Sequence, residues 1–69
     1  DHIDSVASIG EIYFEKGLVA ESIPYFRRAI ESNPLDAVSN NNLGNALYYA
    51  GDFANSLKYL NASVKIKPD

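Results

Sequence analysis

The chain has 69 residues, a formal net charge of −3, a pI near 4.9 and no cysteine. That length holds at most one small domain, whose single core supplies roughly 3–5 kcal/mol of net stability, and the missing cysteines exclude a disulfide framework and a thiolate metal site. An acidic balance in which only Arg27-Arg28 is a contiguous basic pair excludes a general nucleic-acid binder and a protein held electrostatically on an anionic membrane.

No apolar run approaches the roughly 20 residues that a bilayer span needs, and no basic-then-apolar leader opens the chain. The lack of cysteine favours an intracellular, cytoplasmic setting. Beginning at Asp1 rather than Met, the chain reads as a piece cut or processed from something longer.

From the N-terminus, Val6, Ile9, Gly10 and Tyr13 fall three or four apart, which is one face of a helix. Gly17 follows at a point where a helix C-terminus wants a residue that accepts positive φ. A second helix has its apolar face at Ile23, Phe26, Ala29 and Ile30, and Leu18 before it is a poor N-cap. Pro24 in its second turn removes a backbone bond, but the unbroken apolar spacing through Tyr25, Phe26, Ala29 and Ile30 predicts a local kink rather than a break. Pro34 ends that helix, since proline disfavours the helical region in the residue before it, and Asp36 caps the next.

The third helix contains the stretch SNNNLGNALYYA at 39–50, with four asparagines between positions 40 and 45. Asn is a poor helix-interior residue because its short amide competes for nearby backbone groups. Gly51 terminates this helix, Asp52 caps the fourth, and Pro68 closes it.

The two halves are copies. Residues 3–35 laid over 37–69, an offset of 34, give identities at Ser5/Ser39, Gly10/Gly44, Gly17/Gly51, Ala20/Ala54, Ser22/Ser56, Tyr25/Tyr59 and Pro34/Pro68, with apolar positions matching in kind. Gly10 and Gly44 lie mid-helix, where glycine costs about 1 kcal/mol against alanine, so their repetition predicts close approach of two helix backbones.

A 34-residue helix–turn–helix unit carrying NLGNALYYAGDFANSLKYLNASVKIKPD in one copy and SIGEIYFEKGLVAESIPYFRRAIESNPLD in the other resembles the tetratricopeptide repeat. The resemblance covers residues 3–69 and implies an all-α fold: two helix–turn–helix repeats, 3–36 and 37–69, stacked as a short right-handed α-solenoid of four helices within one module, 1–69. Two departures are expected to loosen packing. The large aromatic usual early in the first helix is Val6 in one copy and Asn40 in the other, and the small residue late in the second helix is Ala29 and then Ser63.

In the family, first helices line a concave groove that holds peptides, often extended ones. Carried over by position, the lining is Asp4, Ala7, Ser8, Glu11, Phe14 and Glu15 with Val38, Asn41, Asn42, Asn45, Tyr48 and Tyr49. An Asn amide has one acceptor and two donors, so it can pair with a peptide's C=O and N–H at once. Asn42 resembles the asparagine ladders of O-linked N-acetylglucosamine transferases and importin-like grooves, with Asn41 and Asn45 assisting. The alternative is that these amides are simply solvated, with Asn40 in a packing position.

The family's chaperone-binding members use similarly placed asparagines, with lysines and an arginine, to grip a C-terminal carboxylate. Here Ala7 and Glu11 stand at basic positions, so the complete clamp is not expected. Of the adjacent tyrosines, Tyr48, paired with Phe14 by repeat position, is expected to be the more accessible, unless both pack between repeats. Arg27-Arg28 reads as a solvated convex face before a phosphate site.

Nothing in the chain assembles an active site. His2 is the sole histidine, Glu11 and Glu15 are a turn apart and read as solvated carboxylates, and no glycine-rich phosphate loop occurs, so neither catalysis nor a metal or other cofactor is expected. The sequon Asn61-Ala62-Ser63 lies inside a helix and reads as coincidence. The expected function is a protein-interaction module or scaffold that takes a peptide or protein segment in its groove, with no nucleic-acid or membrane partner.

The alternative is self-assembly. Two repeats leave faces open, Ile3, Val6 and Ile9 at one end and Phe53, Leu57, Leu60, Val64 and Ile66 at the other, which flanking repeats or a homo-oligomer such as a helix-exchanged dimer would cover. A third reading makes the repeats the substrate-recruiting part of a larger enzyme. Residues 3–36 carry net −3 and residues 37–69 net +1, a polarity that favours head-to-tail stacking.

Overall fold

A computed structural model describes residues 6–67, which form four helices: α1 (Val6–Glu15), α2 (Val19–Ser32), α3 (Ala37–Tyr49) and α4 (Phe53–Ile66). Each helix packs on its chain neighbour, and α1 also reaches α3, so two antiparallel hairpins stack side by side as the repeat predicts. Asp4, Ile3, His2 and Pro68 lie outside the described residues. Within them α4 ends at Ile66, where the Lys67 N–H donates to the Ser63 carbonyl at 3.0 Å.

Both intra-repeat turns are built alike. Gly17 and Gly51 have φ of 85° and 92°, the left-handed region that only glycine enters without steric cost. Around each, the helix closes with the paired bonds of a Schellman turn: Leu18 N to Tyr13 O and Gly17 N to Phe14 O, then Asp52 N to Leu47 O and Gly51 N to Tyr48 O. The N-termini differ as the sequence implies. Asp36 accepts from the Val38 N–H and the Ser39 hydroxyl, Asp52 accepts from the Asn55 N–H and amide, and Leu18 offers no side-chain cap.

Pro24 does not break α2, which runs continuously from Val19 to Ser32. Proline has no N–H to give the Ala20 carbonyl, but Ala20 and Pro24 are both exposed, so water can take the donor's place.

Phe26, Leu43, Ala46 and Leu47 form the buried core, with Phe14, Val19, Ile23, Ile30 and Tyr59 packed against it. The mid-helix glycines make the close approaches, in two different ways. A Cβ on Gly44 would lie 2.7 Å from the Leu60 side chain and 3.1 Å from its backbone nitrogen, so two helix backbones do approach there. A Cβ on Gly10 would instead meet the Phe26 ring at 2.7 Å, so that glycine makes room for a side chain rather than a backbone.

At two of the departing positions, Asn40 and Ser63, the side chain hydrogen-bonds to backbone carbonyls. Asn40 is buried and donates through Nδ2 to the Pro34 and Asp36 carbonyls at 3.1 and 2.9 Å, which ties α3 to the loop before it. Ser63 donates to the Ala37 carbonyl at 2.9 Å, and buried Ser56 to the Gly44 carbonyl at 2.8 Å, so α4 is fastened to α3 at two levels. Among the described residues, no buried side-chain polar atom lacks a partner.

Candidate peptide-binding groove

Three sequence features converge between α1 and α3. α1 brings Glu11, Phe14 and Glu15 to one side, because positions 11, 14 and 15 share a helix face. α3 brings Asn42 and Asn45 to the other, again three apart. Together with the Phe26 ring these residues line a groove of about 290 Å³. Its floor is apolar and its rims are carboxylate on one side and amide on the other.

The rims touch. Asn42 Nδ2 donates to Glu11 Oε2 at 2.9 Å, a bond between residues 31 apart in sequence. Asn45 Nδ2 donates to Asn41 Oδ1 at 3.2 Å, one turn back along α3. Each bond uses one N–H of a primary amide, which still has an oxygen and a second N–H to offer.

The other expected lining residues are distributed elsewhere. Ala7 lies with Val6, Ala29, Ser32, Asp36 and Ser39 in a separate cavity where α1, α2 and the start of α3 meet. Val38 and Asn41 line a third recess with Ala37, Ser63 and Lys67 at the α3–α4 seam. Of the positions assigned to one concave surface, Glu11, Phe14, Glu15, Asn42 and Asn45 share one pocket, Ala7 lines a second, and Val38 and Asn41 line a third.

The tyrosine pair departs from expectation. Tyr49, 68% exposed, is the more accessible, against 54% for Tyr48, and it is Tyr49 that meets Phe14, edge to face at 5.6 Å between centroids. Two consecutive positions on a helix point about 100° apart, which near the C-terminus of α3 leaves both rings beyond the core. Tyr48 turns to Tyr49 at 5.5 Å and to Phe53 at 5.4 Å. The result is a chain of edge-to-face rings, Phe14, Tyr49, Tyr48 and Phe53, running from the groove to the start of α4. The role of Phe53 in it was missed in the sequence, although the tight turn at Gly51-Asp52 was the signal that places residues 48 and 53 side by side.

On the last helix, Phe53, Leu57 and Val64 expose about three-fifths of their surface, while Leu60 and Ile66 are half-buried, Leu60 against Gly44. At the first, Val6 and Ile9 are half-buried, and Ile12 is exposed as well. Arg27 and Arg28 are both exposed on α2, with the Arg28 guanidinium 6.0 Å from the Tyr25 ring centre. Among the described residues no three His, Cys, Asp or Glu side chains gather in a metal-binding group, and no helix is long and apolar enough to cross a membrane.

The tetratricopeptide-repeat pattern matches residues 3–34 and again residues 37–69. The chain belongs to the tetratricopeptide-repeat family. It is also 36% identical over 61 residues to the Hsp70-Hsp90 organising protein of Plasmodium falciparum and, at the same identity, to that of its isolate 3D7. Those matches cover 88% of this chain but only 24% and 11% of the two relatives' lengths. Membership of this family supports a protein–protein interaction module.

Proposed function

We propose that this tetratricopeptide-repeat module binds an extended peptide segment in the groove between α1 and α3. The observation that supports this reading is the placement of Asn42 and Asn45 along one rim, facing Phe14 and the two glutamates across an apolar floor. Amides spaced one turn apart can pair with the backbone of an extended chain while the floor accepts its side chains. A protein or peptide partner follows from the same arrangement, and the edge-to-face tyrosines extend the contact area beyond the groove.

The test uses the side-chain NH₂ resonances of Asn42 and Asn45 as reporters while blocked extended peptides are titrated into the isotopically labelled chain. Binding should move those resonances, and Asn42→Ala should weaken it by about 1–3 kcal/mol through an unpaired polar contact, with the helices intact by circular dichroism. Unchanged affinity in Asn42→Ala would end the amide-reading mechanism.

The exposed stripe Phe53, Leu57 and Val64 favours a second reading, in which α4 joins this chain to another repeat or another copy.

A further inference from the structure

Resting on that groove reading, we infer that the groove selects a cationic side chain, Lys or Arg, on the bound segment, with Glu11 and Glu15 as its counter-charges. The distribution of charge is the first support. Within the spans of α1 and α3 the charged residues are Glu11 and Glu15 alone. The lysines and arginines all lie elsewhere: Lys16 in the first turn, Arg27 and Arg28 on α2, Lys58 and Lys65 on α4, and Lys67 beyond it.

The shape of the groove is the second. Half-buried Phe14 lines it beside the carboxylates, and a Lys or Arg side chain lays its methylene stem on such apolar surface while its head stays near water. The Phe14 ring gives the cation an aromatic neighbour, an arrangement its quadrupole favours.

The third is the state of the two carboxylates. Asn42 holds Glu11 over the groove through Oε2, leaving Oε1 for a ligand, and Glu15 one turn on has no ion-pair partner among the described residues. One counter-charge is thus fixed and the other is free to close on the ligand. An anionic ligand meets two carboxylates at contact distance, where salt screening over about 8–10 Å gives little relief. The groove is therefore matched to the opposite charge from a peptide's C-terminal carboxylate.

Three peptides decide it: Ac-Ala-Ala-Lys-Ala-Ala-amide, the same peptide with norleucine at the centre, and Ac-Ala-Ala-Ala-Ala-Ala with a free C-terminus. Each is titrated at low and moderate salt while the Asn42 and Asn45 amides are followed. The lysine peptide should bind most tightly, weaken as salt rises, and lose about two- to fivefold in affinity in Glu15→Gln, as for an exposed charge pair. Glu15 is exposed and makes no structural bond, so that variant keeps the fold; Glu11→Gln gives a second reading of the same effect. Equal binding of the norleucine peptide, tighter binding of the free carboxylate, or a Glu15→Gln variant of unchanged affinity overturns the counter-charge assignment and leaves the peptide groove standing. Silence of both amides with all three peptides removes the groove reading as well.

Discussion

Gly44 and Leu60 meet so closely that a methyl group at position 44 would stand 2.7 Å from the Leu60 side chain and 3.1 Å from its backbone nitrogen. The Leu60 side chain can turn aside, but its backbone can yield only if α4 moves. That movement would strain the Ser56 hydroxyl bond to the Gly44 carbonyl, which fastens the same two helices at 2.8 Å. Overpacking of a tight contact costs typically 1–3 kcal/mol, and the helix-propensity gain from glycine to alanine returns about 1. Gly44→Ala should therefore lose up to about 2 kcal/mol in denaturant unfolding. Gly10→Ala, whose obstacle is the Phe26 ring, should lose less, and a Gly10→Ala loss larger than that of Gly44→Ala would refute this ranking.

Asn40 stands where the repeat usually has a large aromatic, and its buried amide serves two carbonyls, those of Pro34 and Asp36. Truncating it to alanine leaves both acceptors with one donor fewer and opens space beneath them. The expected loss is about 1–3 kcal/mol, against less than about 0.5 for the exposed Asn41→Ala. Thermal unfolding of the two variants, followed by circular dichroism, makes the comparison.

Much of this fold was legible because the offset of 34 doubles every signal. Gly17 and Gly51 announce the turns, Asp36 and Asp52 the caps, and the apolar spacing the four helices. What was not legible depends on distances between helices. That Gly10 faces a ring and Gly44 a backbone cannot be read from two identical glycines. The same limit governs the site. Position within the repeat grouped Ala7, Val38 and Asn41 with Asn42, whereas the structure places them in separate pockets. Nor could sequence show that Asn42 reaches Glu11 or that Tyr49 rather than Tyr48 meets Phe14, since both turn on which rotamers the opposing helix admits.

The caps permit a comparison inside one molecule. Asp36 accepts from the Val38 N–H and holds the Ser39 hydroxyl at 2.7 Å, whereas Leu18 caps nothing. Asp36→Ala should cost about 0.5–2 kcal/mol, while Leu18→Asp should gain part of that amount by supplying α2 with the acceptor it lacks. Chemical denaturation of both variants checks the pair, and a destabilised Leu18→Asp would mean that the side chain of Leu18 matters more to packing than its 40% exposure implies.

The outer face of α4 sets the remaining expectation. Phe53, Leu57 and Val64 are 62, 60 and 59% exposed and align along one side of the helix, and a solenoid repeat normally has that side covered by the next. If copies of this chain cover one another there, sedimentation equilibrium over about a hundredfold range of concentration will show mass rising with concentration. Leu57→Lys should then return the chain to monomer while changing the stability of the monomer by less than about 0.5 kcal/mol, because Leu57 makes little use of the core. Leu60→Ala is the poorer probe, since Leu60 also packs on Gly44 and its loss would weaken folding and assembly together. A chain that stays monomeric throughout would rule out self-assembly through α4, and the stripe would then belong to a neighbouring repeat or a different protein.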